Sequence, residues 1–141
     1  MKRKKKEPPF RTYVSKICKE LRWLFFANAY TMHICWKDDE YIRTSDTHEV
    51  AAQILIDNSY LTFDVIIYKT LLDSYEAKKY DEVLQTLIHE FCHLLTEPLY
   101  RFALEHCPKE TEPHLLEVRE RQTELIRCVI ASWNTDRIPK K

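Results

Sequence analysis

The chain has 141 residues and equal numbers of acidic and basic side chains, 22 of each, so its formal net charge is zero. A chain of this length is expected to form one domain with a sizeable core, and its balanced charge favours neither an acidic nor a basic partner. The sequence contains no glycine. This absence excludes the glycine-rich phosphate loops of P-loop and Rossmann nucleotide-binding proteins.

A basic run opens the chain: Lys2, Arg3, Lys4, Lys5 and Lys6. We predict a disordered basic tail over residues 1–9, because like charges repel and Pro8 and Pro9 separate the run from the first apolar pattern. Weak contact between this tail and nucleic acid is the alternative interpretation. A single domain is then expected over residues 10–138.

The cysteines are odd in number and scattered, without a CxxC pair: Cys18, Cys35, Cys92, Cys107 and Cys128. This pattern favours reduced thiols over a disulfide framework. A secretory signal requires an apolar stretch after its basic start, and no such stretch follows the basic run here. No run approaches the roughly 20 apolar residues of a membrane span. The sequence therefore predicts a cytoplasmic protein that does not enter a membrane.

Helical spacing of apolar residues predicts a first helix over residues 10–28. Residues 31–37 alternate between apolar and polar and predict a strand, and the polar residues 37–47 predict a loop. Two further alternating segments, 50–56 and 61–67, flank a turn-like Asp-Asn-Ser and predict a β-hairpin. We therefore expect a small antiparallel sheet after the N-terminal helix.

The C-terminal half begins with a polar approach at residues 74–80. A helix is predicted from an N-cap at Asp81 to about Glu97, because Pro98 favours a stop there. Residues 99–107 predict a short helix or loop, and residues 114–133 predict a closing helix. Its expected core side comprises Leu115, Val118, Leu125, Ile126, Val129 and Trp133. The order of elements predicts an α+β fold.

The motif with most chemical content is His89-Glu90-Phe91-Cys92-His93, an HExxH sequence. Two histidines four residues apart lie on one helical face and can bind one metal ion, and Glu90 can act as a base on metal-bound water. The opposite face is an apolar stripe: Val83, Leu84, Leu87, Ile88, Phe91, Leu94 and Leu95. The alternative is an amphipathic helix whose exposed side carries two histidines by chance.

Catalytic zinc takes three protein ligands and leaves a fourth position open. Glu117, Glu120 and Glu124 share the polar face of the closing helix, and we favour Glu120 as the third ligand, with Glu124 orienting a ligand histidine. Alternatives remain: a solvated Glu120, or a different third ligand among Glu117, Glu124, His106, Cys107 and His114. Cys92 is expected to pack in the core, and Glu97 to have a surface role at the helix end.

The hairpin, the segment LIHEFCHLL and the Glu-bearing closing helix together resemble small zincin metallopeptidases. The likeness covers about residues 50–133 and is nearest to the SprT-like and ImmA/IrrE-like groups. The Glu120 and Glu124 pair is similar to the ExxxD helix of gluzincins, with Glu in place of Asp.

The resemblance implies a zincin fold, bound Zn2+ and hydrolysis of peptide bonds in a protein or peptide substrate. Glu90 then acts as the base, and Tyr100 and His114 are candidates for stabilising the oxyanion. An extended substrate is expected on the strand at 61–68 or its neighbour. The alternative function is a zinc-stabilised regulatory or binding module with little turnover.

Overall fold

The structure is a computed structural model that describes residues 8–25, 27–44, 48–57 and 59–131. Its elements in chain order are α1 (Pro9–Leu24), β1 (Thr31–Lys37), β2 (Ile42–Arg43), β3 (Glu49–Val50), β4 (Ala52–Asp57), β5 (Thr62–Tyr68), α2 (Lys69–Glu76), α3 (Tyr80–His106) and α4 (Glu112–Ala131). Four helices and a small sheet make an α+β fold, as predicted. The basic tail at residues 2–6, and the part of the predicted closing helix beyond 131, lie outside the described residues.

The sheet has the strand order β1-β5-β4. The predicted hairpin is confirmed, since β4 pairs with β5 in antiparallel fashion, with Ala52 opposite Ile67 and Asp57 opposite Thr62. The prediction of a wholly antiparallel sheet is wrong, because β1 runs parallel to β5 from Thr31–Thr62 to Lys37–Tyr68. Apolar alternation identifies a strand and its faces but does not encode the direction of its partner.

The core lies between α1, α3 and one face of the sheet. Phe91 of α3 is fully buried, and its ring lies 5.8 Å from that of Phe63 on β5 and 6.0 Å from that of Phe25 after α1. The buried residues of α3 are Val83, Leu84, Leu87, Ile88, Phe91 and Cys92. The predicted stripe is therefore correct from Val83 to Phe91, with Leu94 partly buried against the core, and Cys92 packs in the core as expected. Leu95, at the far end of the stripe, is exposed.

Two helical predictions in this half of the chain are wrong. Helix α2 occupies residues that include part of the predicted polar approach, and α3 continues through Pro98 to His106 instead of ending near Glu97. A proline inside a helix costs about 3 kcal/mol. Beside this proline, Glu97 contacts Arg101 one turn later on α3 and Arg119 on α4.

Helix α4 begins at Glu112 and packs along α3 with a face that matches the predicted one only in part, since Leu115, Val118 and Ile126 are half-buried. Leu125 and Val129, expected in the core, are 56% and 51% exposed, whereas Ile130 is 6% exposed and Thr123 is fully buried. The shift follows from the partner: α4 packs on the ligand-bearing side of α3, which is polar, so its inner face includes polar residues.

Within the described part of the chain, no helix combines the length and the apolar character needed to cross a membrane.

Candidate metal centre

His89 and His93 lie on α3, on the side that faces α4. Their rings are 5.2 Å apart between centroids, and their side chains are 27% and 12% exposed. The pair is accessible enough to meet a ligand and buried enough to be held in place. Because Leu87, Ile88 and Phe91 anchor α3 in the core, the helix has one rotational setting, and that setting turns both histidines towards α4.

Helix α4 brings Glu120 to these histidines. Its Oε2 lies 3.7 Å from Nε2 of His89, and its Oε1 lies 3.9 Å from Nε2 of His93. The three ligand atoms all lie within 4.8 Å of one another, so His89, His93 and Glu120 could hold a metal ion. Ligand atoms on one tetrahedral Zn2+ are about 3.4 Å apart, and two imidazoles with one carboxylate are a donor set of catalytic zinc sites. The residues thus fit zinc after a small inward movement.

Four of the other candidate third ligands, Glu117, His106, Cys107 and His114, do not join this cluster. Glu117 pairs with Arg121 at 2.8 Å, and both side chains are about two-thirds exposed, at 65% and 64%. The His106 ring stacks on Phe102 at 4.2 Å, and its Nδ1 bonds to the carbonyl oxygen of Phe102. Cys107 and His114 are exposed. Among the described residues, the cluster of potential ligands is His89, His93 and Glu120.

Glu124 lies behind His89, where it was predicted to orient a ligand. Nδ1 of His89 is 3.3 Å from Oε2 of Glu124. Arg127 fixes this carboxylate, since its Nε lies 2.9 and 3.0 Å from the two oxygens, and Arg127 also donates to Gln85. With Nδ1 protonated and bonded to Glu124, His89 keeps the lone pair of Nε2 free towards Glu120.

Thr123 holds the second histidine, a contact that the sequence interpretation missed. Its hydroxyl donates to the carbonyl oxygen of Arg119 at 2.9 Å and lies 3.4 Å from Nδ1 of His93. A hydroxyl has one proton, so Thr123 accepts from Nδ1 and leaves Nε2 free. The available signal was a threonine between two candidate carboxylates in the sequence.

Glu90 is half-buried and lines the same cleft as the two histidines. Its carboxyl lies beside the backbone N–H of Ile54 on β4, where α3 approaches the sheet. Burial raises the pKa of Glu90 to about 7, and the neighbouring His89 and the Ile54 N–H oppose this rise. Such a carboxyl can hold or release a proton near neutral pH.

The charges of the cluster support one another. The neighbouring imidazole of His89, 3.7 Å from Oε2, is the main cause that lowers the pKa of Glu120 to about 2, so this carboxylate stays ionised. The same contact raises the pKa of His89, whereas burial lowers the pKa of His93. The ionised Glu120 and the neutral form favoured for His93 suit a divalent cation, which would displace the proton that the raised pKa favours on His89.

A cleft of about 530 Å³ separates this cluster from the sheet. Its walls are β4, the β2–β3 ladder and the facing sides of α3 and α4, with Ile42 and Thr44 contributed by the region predicted as a loop. The cleft-lining residues include neither Tyr100 nor His114, the predicted oxyanion candidates. Sequence reasoning thus missed one wall of the cleft.

The free edge of β4 faces the cleft. The N–H of Tyr68 bonds to the carbonyl of Ala51, so in the antiparallel ladder Ala52, Ile54 and Ile56 direct their N–H and C=O groups away from β5. The outward N–H of Ile54 lies beside Glu90. Of the two strands considered for an extended ligand, β5 is excluded because it is paired on both sides. The available edge is β4.

Glu97 is held tightly within the site, which differs from its predicted surface role. Its side chain is 14% exposed and contacts Arg119 at 3.1 Å and Arg101 at 3.2 Å. The Tyr100 ring packs on Arg119, with its centroid 4.5 Å from the guanidinium carbon. Arg119 in turn contacts Glu120 at 2.9 Å. A row of charges therefore connects α3 to the candidate third ligand.

Comparison with protein-family models, with curated proteins and with solved structures finds no match in any of the three.

Proposed function

We propose that this chain is a zinc-dependent metallopeptidase of the zincin type, which hydrolyses peptide bonds in a protein or peptide substrate. The observation that carries the proposal is the convergence of His89, His93 and Glu120, with Glu90 in the same cleft. His89, His93 and Glu120 would hold the ion. When bound, zinc supplies Lewis-acid chemistry, which polarises the peptide carbonyl and lowers the pKa of water.

Glu90 supplies the proton transfers. A carboxylate oxygen of Glu90 takes a proton from the attacking water and returns it to the amine that leaves. The raised pKa of this group accords with both steps, because a carboxyl that titrates near neutrality can accept and donate. Glu124 and Thr123 accept from the Nδ1 atoms of His89 and His93, which keeps both imidazoles in the tautomer with an unprotonated Nε2.

The substrate would lie along β4. An extended peptide can add to a free strand edge through main-chain hydrogen bonds. The unpaired N–H and C=O groups of Ala52 and Ile56 offer these bonds next to Glu90. A bound strand at this edge passes between β4 and the His89–His93 pair, which brings a peptide carbonyl to the cluster.

One observation favours a second function, a zinc-stabilised regulatory or binding module with little turnover. The Glu90 carboxyl is half-buried beside the Ile54 backbone, a position between α3 and β4 that can serve packing without any catalytic role. Under this alternative the metal stabilises the fold, and Glu90 is a structural residue.

The two functions separate in a cleavage assay on a peptide mixture produced by digestion of whole proteins, with products detected by mass spectrometry. Zinc-loaded wild type should release new termini, and Glu90→Gln should keep its zinc and lose activity about 100-fold or more. Glu82→Gln is the matched control, since Glu82 is an exposed residue of the same helix. Zinc-loaded wild type without cleavage, or Glu90→Gln with full cleavage, would contradict the peptidase assignment.

A further inference from the structure

Arg119 lies between the two helices and contacts three side chains. Nη1 is 3.1 Å from Oε2 of Glu97, Nη2 is 2.9 Å from Oε1 of Glu120, and the guanidinium carbon is 4.5 Å from the Tyr100 ring centroid. Nε is buried and has no hydrogen-bond partner among the described residues. The polar contacts of Arg119 therefore depend on its two terminal nitrogens, and each of these holds a different carboxylate.

We propose that Arg119 is a positioning residue that presents Glu120 to the metal through one oxygen. Its Nη2 bonds to Oε1, which leaves Oε2, the oxygen nearest to His89, for the ion. A glutamate that binds through both oxygens would fill the coordination position that a catalytic zinc site keeps open. Because the ligand role of Glu120 belongs to the proposed function, this assignment rests on it.

The contacts of the Arg119 guanidinium restrict its movement, so that it can hold Oε1 of Glu120 and leave Oε2 for the ion. Arg119 is 21% exposed and Glu97 is 14% exposed, so their ion pair is largely shielded from water. A planar guanidinium that bonds to two carboxylates and stacks on an aromatic ring cannot rotate without losing several contacts. Glu97 is itself held from the other side by Arg101. The position of Oε1 is thus determined by α3 as well as by α4.

Each of the three carboxylates on this part of α4 has its own arginine, which supplies a matched control. Arg119 pairs with Glu120, Arg127 with Glu124, and Arg121 with Glu117. Glu117 and Arg121 are exposed and outside the cleft. Removing Arg121 therefore removes the same charge from the same helix without touching the cluster.

The test compares wild type, Arg119→Met and Arg121→Met in two measurements. Competition with a chromophoric chelator gives the zinc affinity, and the d–d absorption of the cobalt(II)-loaded protein reports coordination number, because four-coordinate cobalt absorbs more strongly than five-coordinate cobalt. Arg119→Met should weaken zinc binding about 10- to 100-fold and lower the cobalt absorption. Arg121→Met should match wild type in both.

Two further variants keep the test decisive if Arg119→Met does not fold. Arg119→Lys keeps the positive charge but loses the planar guanidinium that binds two carboxylates at once. Glu97→Gln keeps the shape of that side chain but removes the ion pair that holds Arg119. Both variants should shift the cobalt spectrum in the same direction as Arg119→Met. Wild-type zinc affinity and cobalt spectra in the folded members of this set would overturn the role of Arg119. Wild type that binds neither metal would overturn the proposed function instead.

Discussion

Nδ1 of His89 lies 3.3 Å from a carboxylate oxygen of Glu124, one helical turn beyond Glu120. The contact is to the nitrogen that faces away from the cluster, so Glu124 supports His89 from behind while Glu120 faces Nε2. Glu120 and Glu124, both on α4, thus lie near different nitrogens of the His89 imidazole. The arrangement assigns them different roles, and these roles can be tested separately.

Zinc affinity should follow the order of these roles. Glu120→Gln removes a ligand and should weaken zinc binding by more than about 100-fold, whereas Glu124→Gln removes an orienting bond and should cost about 10-fold. Glu117→Gln should have no effect, since Glu117 pairs only with the exposed Arg121 among the described contacts. Competition titrations measure all three. A larger loss in Glu124→Gln than in Glu120→Gln would reassign the third ligand.

Thr123 should matter for the metal and not only for packing. Thr123→Val keeps the shape of the buried side chain but removes the acceptor for Nδ1 of His93, so zinc affinity should fall about 10-fold. Thr96→Val is the control, because Thr96 bonds to Thr123 and to the Cys92 carbonyl but not to a histidine. Wild-type zinc affinity in a folded Thr123→Val variant would show that His93 does not depend on Thr123.

The rotational setting of α4 can be checked through stability. Ile130→Ala should lower the free energy of unfolding by about 2–3 kcal/mol, because Ile130 is 6% exposed and belongs to the core. Leu125→Ala should change it by less than about 0.5 kcal/mol, because Leu125 is 56% exposed. Urea denaturation of both variants gives the comparison. The reverse order would restore the setting predicted from the sequence.

Asp38 should contribute stability that depends on pH. The Arg11 guanidinium beside Asp38 lowers the pKa of that carboxyl, through bonds of 2.8 and 3.0 Å that join α1 to the end of β1. A carboxyl with a depressed folded pKa contributes stability above its unfolded pKa of about 3.9 and loses it as the pH falls through the folded value.

Asp38→Asn should therefore cost about 1 kcal/mol at pH 7, a figure reduced for the partial exposure of Arg11. The difference from wild type should shrink once the pH falls below about 4. Asp39→Asn is the matched control, because Asp39 is exposed and no described side chain bonds to it. Denaturation curves at several pH values decide the matter, and a gap between wild type and Asp38→Asn that is constant down to low pH would exclude the ionised pair.

Sequence patterns predicted the parts of the site that depend on local periodicity. The spacing of His89 and His93 against an apolar stripe predicted their shared face, and the polar face of the closing helix predicted that Glu120 and Glu124 lie together. Each of these two predictions depends on the periodicity of a single helix. The same reasoning predicted the hairpin, because its two alternating strands are joined by a short turn.

The remaining features depend on how elements meet, which periodicity does not encode. Helix α3 continues past Pro98, where Glu97 contacts Arg119 on a different helix, and Thr123 is buried because α4 packs on the polar side of α3. The parallel pairing of β1 with β5 likewise follows from the path of the chain rather than from alternation. Each of these contacts joins residues that are distant in sequence.

The most direct test of the central claim is the zinc content of the protein, purified without an affinity tag or added metal and measured by mass spectrometry. The account predicts about one zinc per chain in wild type and none in a folded His89→Ala/His93→Ala variant, because the two imidazoles supply two of the three ligands. Wild type that remains free of zinc after exposure to it and removal of the excess would contradict the account.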